Sequence, residues 1–173
     1  MASSMKEITI WGLTVVLGAA LLWRVEPYLR KHNVDVGDRA PGFTLTTDSG
    51  QGVSLEDYRG KYVLLNFWAT WCGPCVQETP SLNRLHEELS DKGLVVLGVS
   101  IDEDKQAYDA FLERFGITFP TVRDPLRDVP AEYGTYLYPE SYLIDRDGYV
   151  VREYPGPENW MRPEVVNYIR SLL

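Results

Sequence analysis

The feature that most restricts this chain is the apolar and aromatic run Tyr62-Val63-Leu64-Leu65-Asn66-Phe67-Trp68, which leads through Ala69-Thr70-Trp71 into Cys72-Gly73-Pro74-Cys75. Seven such residues suit a buried strand. Behind the cysteines, Val76 to Lys92 is amphipathic, carries Leu82, Leu85 and Leu89 at helical spacing and ends at Gly93, so it reads as a helix that Pro80 should bend. The two cysteines therefore stand at a strand-to-helix junction. Their spacing lets them close a reversible disulfide, and the unpaired amides and dipole of a helix start favour a thiolate. This predicts Cys72 as the exposed nucleophile and Cys75, one turn further in, as the shielded resolving thiol.

Other uses of the pair fit less well. These are the only two cysteines among 173 residues, and a structural disulfide around so short a loop would constrain little of the unfolded chain. Zinc would need two further ligands, but the only histidines, His32 and His86, lack the required spacing. His86, beside Glu87 and Glu88, reads as a solvated surface residue. Spacing and context favour redox chemistry.

Residues 1–33 divide from the rest by composition. Ile8 to Trp23 holds sixteen residues without a charge, about 24 Å as a helix, slightly short of a bilayer core. Val25 can extend the span if Arg24 snorkels, and Trp11 and Trp23 suit the two interfaces. The apolar run continues past Gly18-Ala19-Ala20, which favours an uncleaved anchor over a removed signal. The chain carries a net charge of −8, and residues 1–33 hold four basic and two acidic groups, leaving −10 on residues 34–173. An acidic domain argues against binding nucleic acid. By charge alone, Lys6 on one side of the span and Arg24, Arg30 and Lys31 on the other favour a cytoplasmic domain.

From Val34 onward the chain reads as one domain. Phe43-Thr44-Leu45 and Val53 flank a turn-rich stretch and predict a hairpin, and Ser54 with Asp57 predicts a helix cap. Leu94 to Ile101 is a continuous apolar run that predicts a strand in a parallel sheet. Asp102 or Asp104 would cap a helix bearing Ala107, Phe111 and Phe115, ended by Gly116. A short helix over Asp128 to Tyr133, a hairpin turning at Arg146-Asp147-Gly148 and a C-terminal helix with Val165, Val166, Ile169, Leu172 and Leu173 on one face complete the pattern. Alternating strands and helices make an α/β sandwich around a mixed sheet.

At Trp71-Cys72-Gly73-Pro74-Cys75 the chain resembles the thioredoxin superfamily. The narrower resemblance is to its TlpA-like and ResA-like branch, which includes the membrane-tethered oxidoreductases of cytochrome c maturation. It is carried by Val36-Gly37-Asp38-Arg39-Ala40-Pro41-Gly42-Phe43-Thr44-Leu45, by Glu78-Thr79-Pro80 and by Pro139-Glu140-Ser141-Tyr142-Leu143-Ile144-Asp145. The resemblance implies a thioredoxin-like α/β fold with a central mixed sheet, an N-terminal hairpin and a TlpA-type insertion at the Phe111 helix and Ile117 to Val122. It implies a domain facing the periplasm or cell exterior of a bacterial membrane, against the charge count, and no cofactor beyond the Cys72–Cys75 pair. The implied partners are a protein disulfide, such as apocytochrome c or an assembly factor, and a membrane electron donor.

The resemblance also assigns roles. Glu78, three residues after Cys75, stays on the same side of a helix, where a desolvated carboxyl with a raised pKa can exchange a proton with a buried thiol. Asn66 stands where thioredoxin has a buried aspartate, and reads as a structural polar residue that must find partners. Pro139 matches the family's cis proline, leaving the backbone of Tyr138 to pair with an extended substrate. Tyr138 is bulkier than the residue usual there. Glu140 would add negative potential near Cys72 and raise its pKa. Trp71, Gly73 and Pro74, with Tyr138, Pro139 and Glu140, are the expected substrate-binding set, and Trp68 and Trp71 would wall the site. Alternative readings are a copper-handling assembly factor, a general extracytoplasmic disulfide reductase and a peroxidase. Copper handling suffers from the lack of histidine after residue 86, and peroxidase activity from the lack of the proline and threonine expected before the reactive cysteine.

Overall fold

The computed structural model describes residues 34–173 and, before them, Gly18. The expected anchor over Ile8–Trp23 otherwise lies outside the described residues; among those described, no helix is long and apolar enough to cross a membrane. The described strands are β1 (Thr44–Thr46), β2 (Gly52–Ser54), β3 (Tyr62–Trp68), β4 (Leu94–Ser100), β5 (Thr121–Arg123), β6 (Glu140–Ile144) and β7 (Val150–Pro155). The helices are α1 (Gly73–Leu89), α2 (Lys105–Phe115), α3 (Asp128–Tyr133) and α4 (Pro163–Leu172).

Strand β3 lies at the middle of a five-stranded sheet of order β5-β4-β3-β6-β7. It runs parallel to β4 and antiparallel to β6, and β4 runs parallel to β5, so the sheet is mixed as expected. Apolar residues on both faces of β3 explain why the run is continuous rather than alternating. Val63, Leu65 and Phe67 face one layer, with Phe43, Leu55, Val129 and Tyr133 from the N-terminal hairpin region and α3. Leu64 faces the other, with Leu82, Leu85 and Leu89 of α1 and Val165, Val166 and Ile169 of α4. Trp68 ends the strand against Tyr108 and Phe111 of α2, in the same cluster as both cysteines.

Local chemistry sets the element ends. Ser54 and Asp57 form a reciprocal cap on a 3-10 turn at Leu55–Tyr58. The choice between Asp102 and Asp104 falls to Asp104, whose carboxylate accepts from the amides of Gln106 and Ala107 at the start of α2. Helix α1 is continuous across Pro80, starts at Gly73 and passes into a second 3-10 turn before the left-handed Gly93. His86 departs from expectation: it is half-buried and edge-on to Phe119, and burial lowers its pKa. The face of α1 that covers β4 carries the imidazole into contact with the residues leading to β5.

Gly98 in β4 has a packing reason. A Cβ there would come within 2.8 Å of Thr121 Oγ1, closer than real side chains approach, and within a tight 3.0 Å of both Phe119 and the Trp68 indole nitrogen. Gly98→Ala is expected to destabilise the domain by about 1–3 kcal/mol, read as a lower urea midpoint at unchanged slope. A midpoint equal to the wild type would mean that the indole yields at no cost.

Candidate active site

Cys72 is the N-cap of α1, with extended backbone, and Cys75 lies in its first turn. Pro74 sits in that turn, where a missing N–H costs nothing because the first helical amides have no partner within the helix. The two sulfurs are joined in a disulfide with a Cα–Cα distance of 5.2 Å. The amide of Cys75 donates to Cys72 Sγ at 3.2 Å, so a helix N-terminal N–H is aimed at the sulfur that would carry charge as a thiolate.

The expectation of an exposed Cys72 needs correction. Cys72 is 6% and Cys75 1% exposed. Tyr138 precedes a cis Pro139, and its carbonyl oxygen lies 3.4 Å from Cys72 Sγ. The loop before β6 thus covers the sulfur that the helix start presents. Cys72 is still the less covered of the two, and the groups beside it, Trp71, Gly73 and Pro74, are exposed.

Glu78 is buried one turn beyond Cys75. Its Oε1 accepts from Asn66 Nδ2 at 2.9 Å, and its Oε2 accepts from the Glu158 amide at 3.0 Å. Asn66 also donates to Ser141 Oγ at 2.9 Å. The pairing of Asn66 with Ser141 across β3 and β6 puts both side chains on the α1 face of the sheet. Burial raises the Glu78 pKa to about 7, and the hydrogen bonds from Glu158 and Asn66 hold it from going higher. The Trp160 indole lies close enough to favour the carboxylate but makes no well-formed hydrogen bond. Glu78 also borders a cleft of about 540 Å³ with Gln77, Arg84 and Asn159.

Two further carboxylates near the junction differ in surroundings. Asp102, buried after β4, accepts from the Thr70 amide at 2.9 Å, from Thr70 Oγ1 at 2.6 Å and from Ser100 Oγ at 2.6 Å, and so pins the loop between β3 and Cys72. Glu140 is half-buried, and its carboxyl lies against Thr135, Tyr142 and Glu153; burial, with Glu153 beside it, raises its pKa. Alternation along β6 puts Glu140 on the face opposite Ser141 and the Asn66–Glu78 pair. Trp68 is buried beneath the site and Trp71 stands out from it. Among the described residues, no group of three His, Cys, Asp or Glu side chains is arranged to hold a metal.

Sequence reasoning singled out Cys72, Cys75, Glu78, Asn66 and Pro139; the structure joins the two cysteines, puts the Asn66 amide on the Glu78 carboxylate and sets Pro139 directly after the carbonyl that meets Cys72 Sγ. That reasoning missed Asp102 as a loop anchor, Ser141 as a partner of Asn66 and the amide of Glu158. Ser141 had a usable signal, a hydroxyl within a buried strand, since such a group requires a partner. A backbone amide from residue 158 carries no signal at all.

Residues 36–153 match the model of the AhpC/TSA family. The thiol-disulfide oxidoreductase ResA of Geobacillus kaustophilus (strain HTA426) is 43% identical over 147 residues, covering 84% of each chain. ResA of Bacillus thuringiensis subsp. konkukian (strain 97-27) is 32% identical over 161 residues, covering 92% of each. Among solved structures, a Chlorobium tepidum protein described as thiol:disulfide interchange protein DsbE superposes with a TM-score of 0.71 at 35% identity, over 81% of this chain and 96% of its own.

The raised pKa of Glu78 has a measurable consequence for stability. Between the ordinary value of 4.5 and about 7, the folded domain holds a proton that the unfolded chain has released, so stability falls as pH rises through that window. The full effect is on the order of 3 kcal/mol. Urea unfolding of the oxidised protein, wild type against Glu78→Gln, is expected to show the wild type losing roughly that much relative to the variant from about pH 5 to about pH 8. Parallel curves would mean that the carboxyl titrates as if in water.

Proposed function

The chain belongs to the AhpC/TSA family as a thioredoxin-like thiol-disulfide oxidoreductase, and from that premise we propose that it works as a protein-disulfide reductase. The Cys72 thiolate attacks one sulfur of a substrate disulfide, forming a Cys72–substrate bond and releasing the other substrate sulfur as a thiolate. Cys75 passes its proton to the Glu78 carboxylate and attacks Cys72 Sγ, which closes the Cys72–Cys75 disulfide and frees the second substrate sulfur. The substrate gains two electrons and the cysteine pair loses them. A dithiol or membrane donor must return them before the next cycle.

The observation that carries this reading is Glu78: a carboxyl one turn from the resolving cysteine, desolvated but tethered by Asn66 and the Glu158 amide, with a pKa of about 7. A base is most useful when its pKa is near the working pH. The Gly73-Pro74 pair between the cysteines, the same as in thioredoxin, supports reduction over oxidation. Anchoring through Ile8–Trp23, an outward-facing domain and a task in cytochrome c maturation belong to the same proposal. They are supported by the uncharged length of that segment and by the likeness to the tethered branch.

Cys72→Ser should lose disulfide reduction by roughly 10³-fold or more. Cys75→Ser should accumulate a mixed disulfide with its partner, recovered on a non-reducing gel and identified by mass spectrometry. Glu78→Gln should slow resolution roughly 10²-fold and remove the rise in rate as pH passes about 7, the pKa of the native carboxyl. Full activity in Cys72→Ser overturns the order of attack. An unchanged pH profile in Glu78→Gln removes that carboxyl from the mechanism.

A further inference from the structure

The loop between β7 and α4 reaches the surroundings of both cysteines. Its first amide, at Gly156, donates to the Pro139 carbonyl at 3.0 Å, one residue after the carbonyl that meets Cys72 Sγ. Two residues on, the Glu158 amide donates to Glu78 Oε2 at 3.0 Å. Trp160, wholly buried, then enters the layer between α1 and α4. Its amide donates to Ser81 Oγ, which itself donates to the Glu78 carbonyl.

Glu158 lies between those fastenings and outside any strand or helix, so its amide is aimed by what holds its own side chain. That side chain is gripped at both oxygens: Oε1 accepts from the Asn159 amide at 2.7 Å and Oε2 from Arg162 Nη2 at 2.9 Å. The Arg162 amide donates back to the Asn159 carbonyl at 2.9 Å and closes the turn. The Glu158 side chain is only 16% exposed, and a carboxylate so far withdrawn from water needs a partner. Arg162 directly precedes α4, yet its side chain makes no cap to that helix.

Resting on the reading of Glu78 as acceptor of the Cys75 proton, we infer that Arg162 is a positioning residue of the reaction: by holding the Glu158 carboxylate it keeps the Glu158 amide on Glu78 Oε2. Losing Arg162 has two effects of one sign. The Glu158 charge, left uncompensated, opposes ionisation of Glu78 more strongly, and an amide free to turn away no longer favours it. The other groups that face Glu78 stay in place: Asn66 of β3 with Ser141 of β6 behind it, and, on α1, Cys75 and the cleft-lining Arg84.

The test follows Glu78 first and the reaction second. In the oxidised full chain in detergent micelles, with glutamate carboxyl carbons isotope-labelled, NMR gives the titration midpoint of Glu78, whose resonance is the one lost in Glu78→Gln. Arg162→Gln should raise that midpoint by about half a unit, the scale of an ion pair whose arginine is half exposed. In a Glu158→Ala background, which keeps the amide and removes the carboxylate, Arg162→Gln should leave the midpoint where it is. Glu164→Gln, which removes the more distant partner of Arg162 at 3.8 Å, should keep the wild-type midpoint. Closure of the Cys72–Cys75 disulfide is then timed in the pre-reduced chain under excess bis(2-hydroxyethyl) disulfide. Arg162→Gln should slow closure about threefold below the wild-type midpoint and match the wild type at about pH 9. A midpoint indifferent to Arg162→Gln, a shift that persists in the Glu158→Ala background, or an equal shift in Glu164→Gln overturns the tether, whatever the reaction. A midpoint that moves while the closure rate ignores it overturns Glu78 as the proton acceptor, and this role for Arg162 with it.

Discussion

Everything in this domain depends on β3 being dry on both faces. Its alternate residues are claimed by two apolar layers, and a strand sealed in this way cannot slip by one position without exchanging the two sets. Register is therefore fixed, and with it the height at which the chain leaves the sheet. The loop that follows is fastened by Asp102 to Thr70 and Ser100, so Cys72 arrives at the start of α1 on a rigid support. Rigid presentation matters because thiol exchange needs three sulfurs in line.

The same burial creates the proton acceptor. Carboxylates belong in water, and Glu78 is almost wholly withdrawn from it; three polar groups from β3, β6 and the loop after β7 form the chain that keeps it in place. Two effects act on it in opposite senses: desolvation pushes its pKa up, and hydrogen bonds to the ionised form limit the rise. A carboxyl left with burial alone would stay protonated at neutral pH, and one fully solvated would be too weak a base. The site also separates its tasks in space. Glu78 borders a cleft on the α1 side, whereas Cys72 Sγ meets the loop before β6 at the Tyr138 carbonyl.

Periodicity, spacing and turn chemistry in the sequence determine a great deal of this protein: the bounds of β3, the helix after the cysteines, the hairpins around residues 48–52 and 146–148, the cap at Ser54 and the pairing of Cys72 with Cys75. Each rests on residues close together in the chain, where a short window holds the whole physical cause. Glu78 was legible for the same reason, since three residues along a helix fix which side it shares with Cys75. What only the tertiary structure decided involves partners far apart in sequence. The coverage of Cys72 depends on a carbonyl 66 residues away, the fastening of its loop on Asp102 and the strength of Glu78 as an acid on an amide 80 residues away. Desolvation and backbone hydrogen bonds have no residue-type signature, so these properties exist only once the chain has folded.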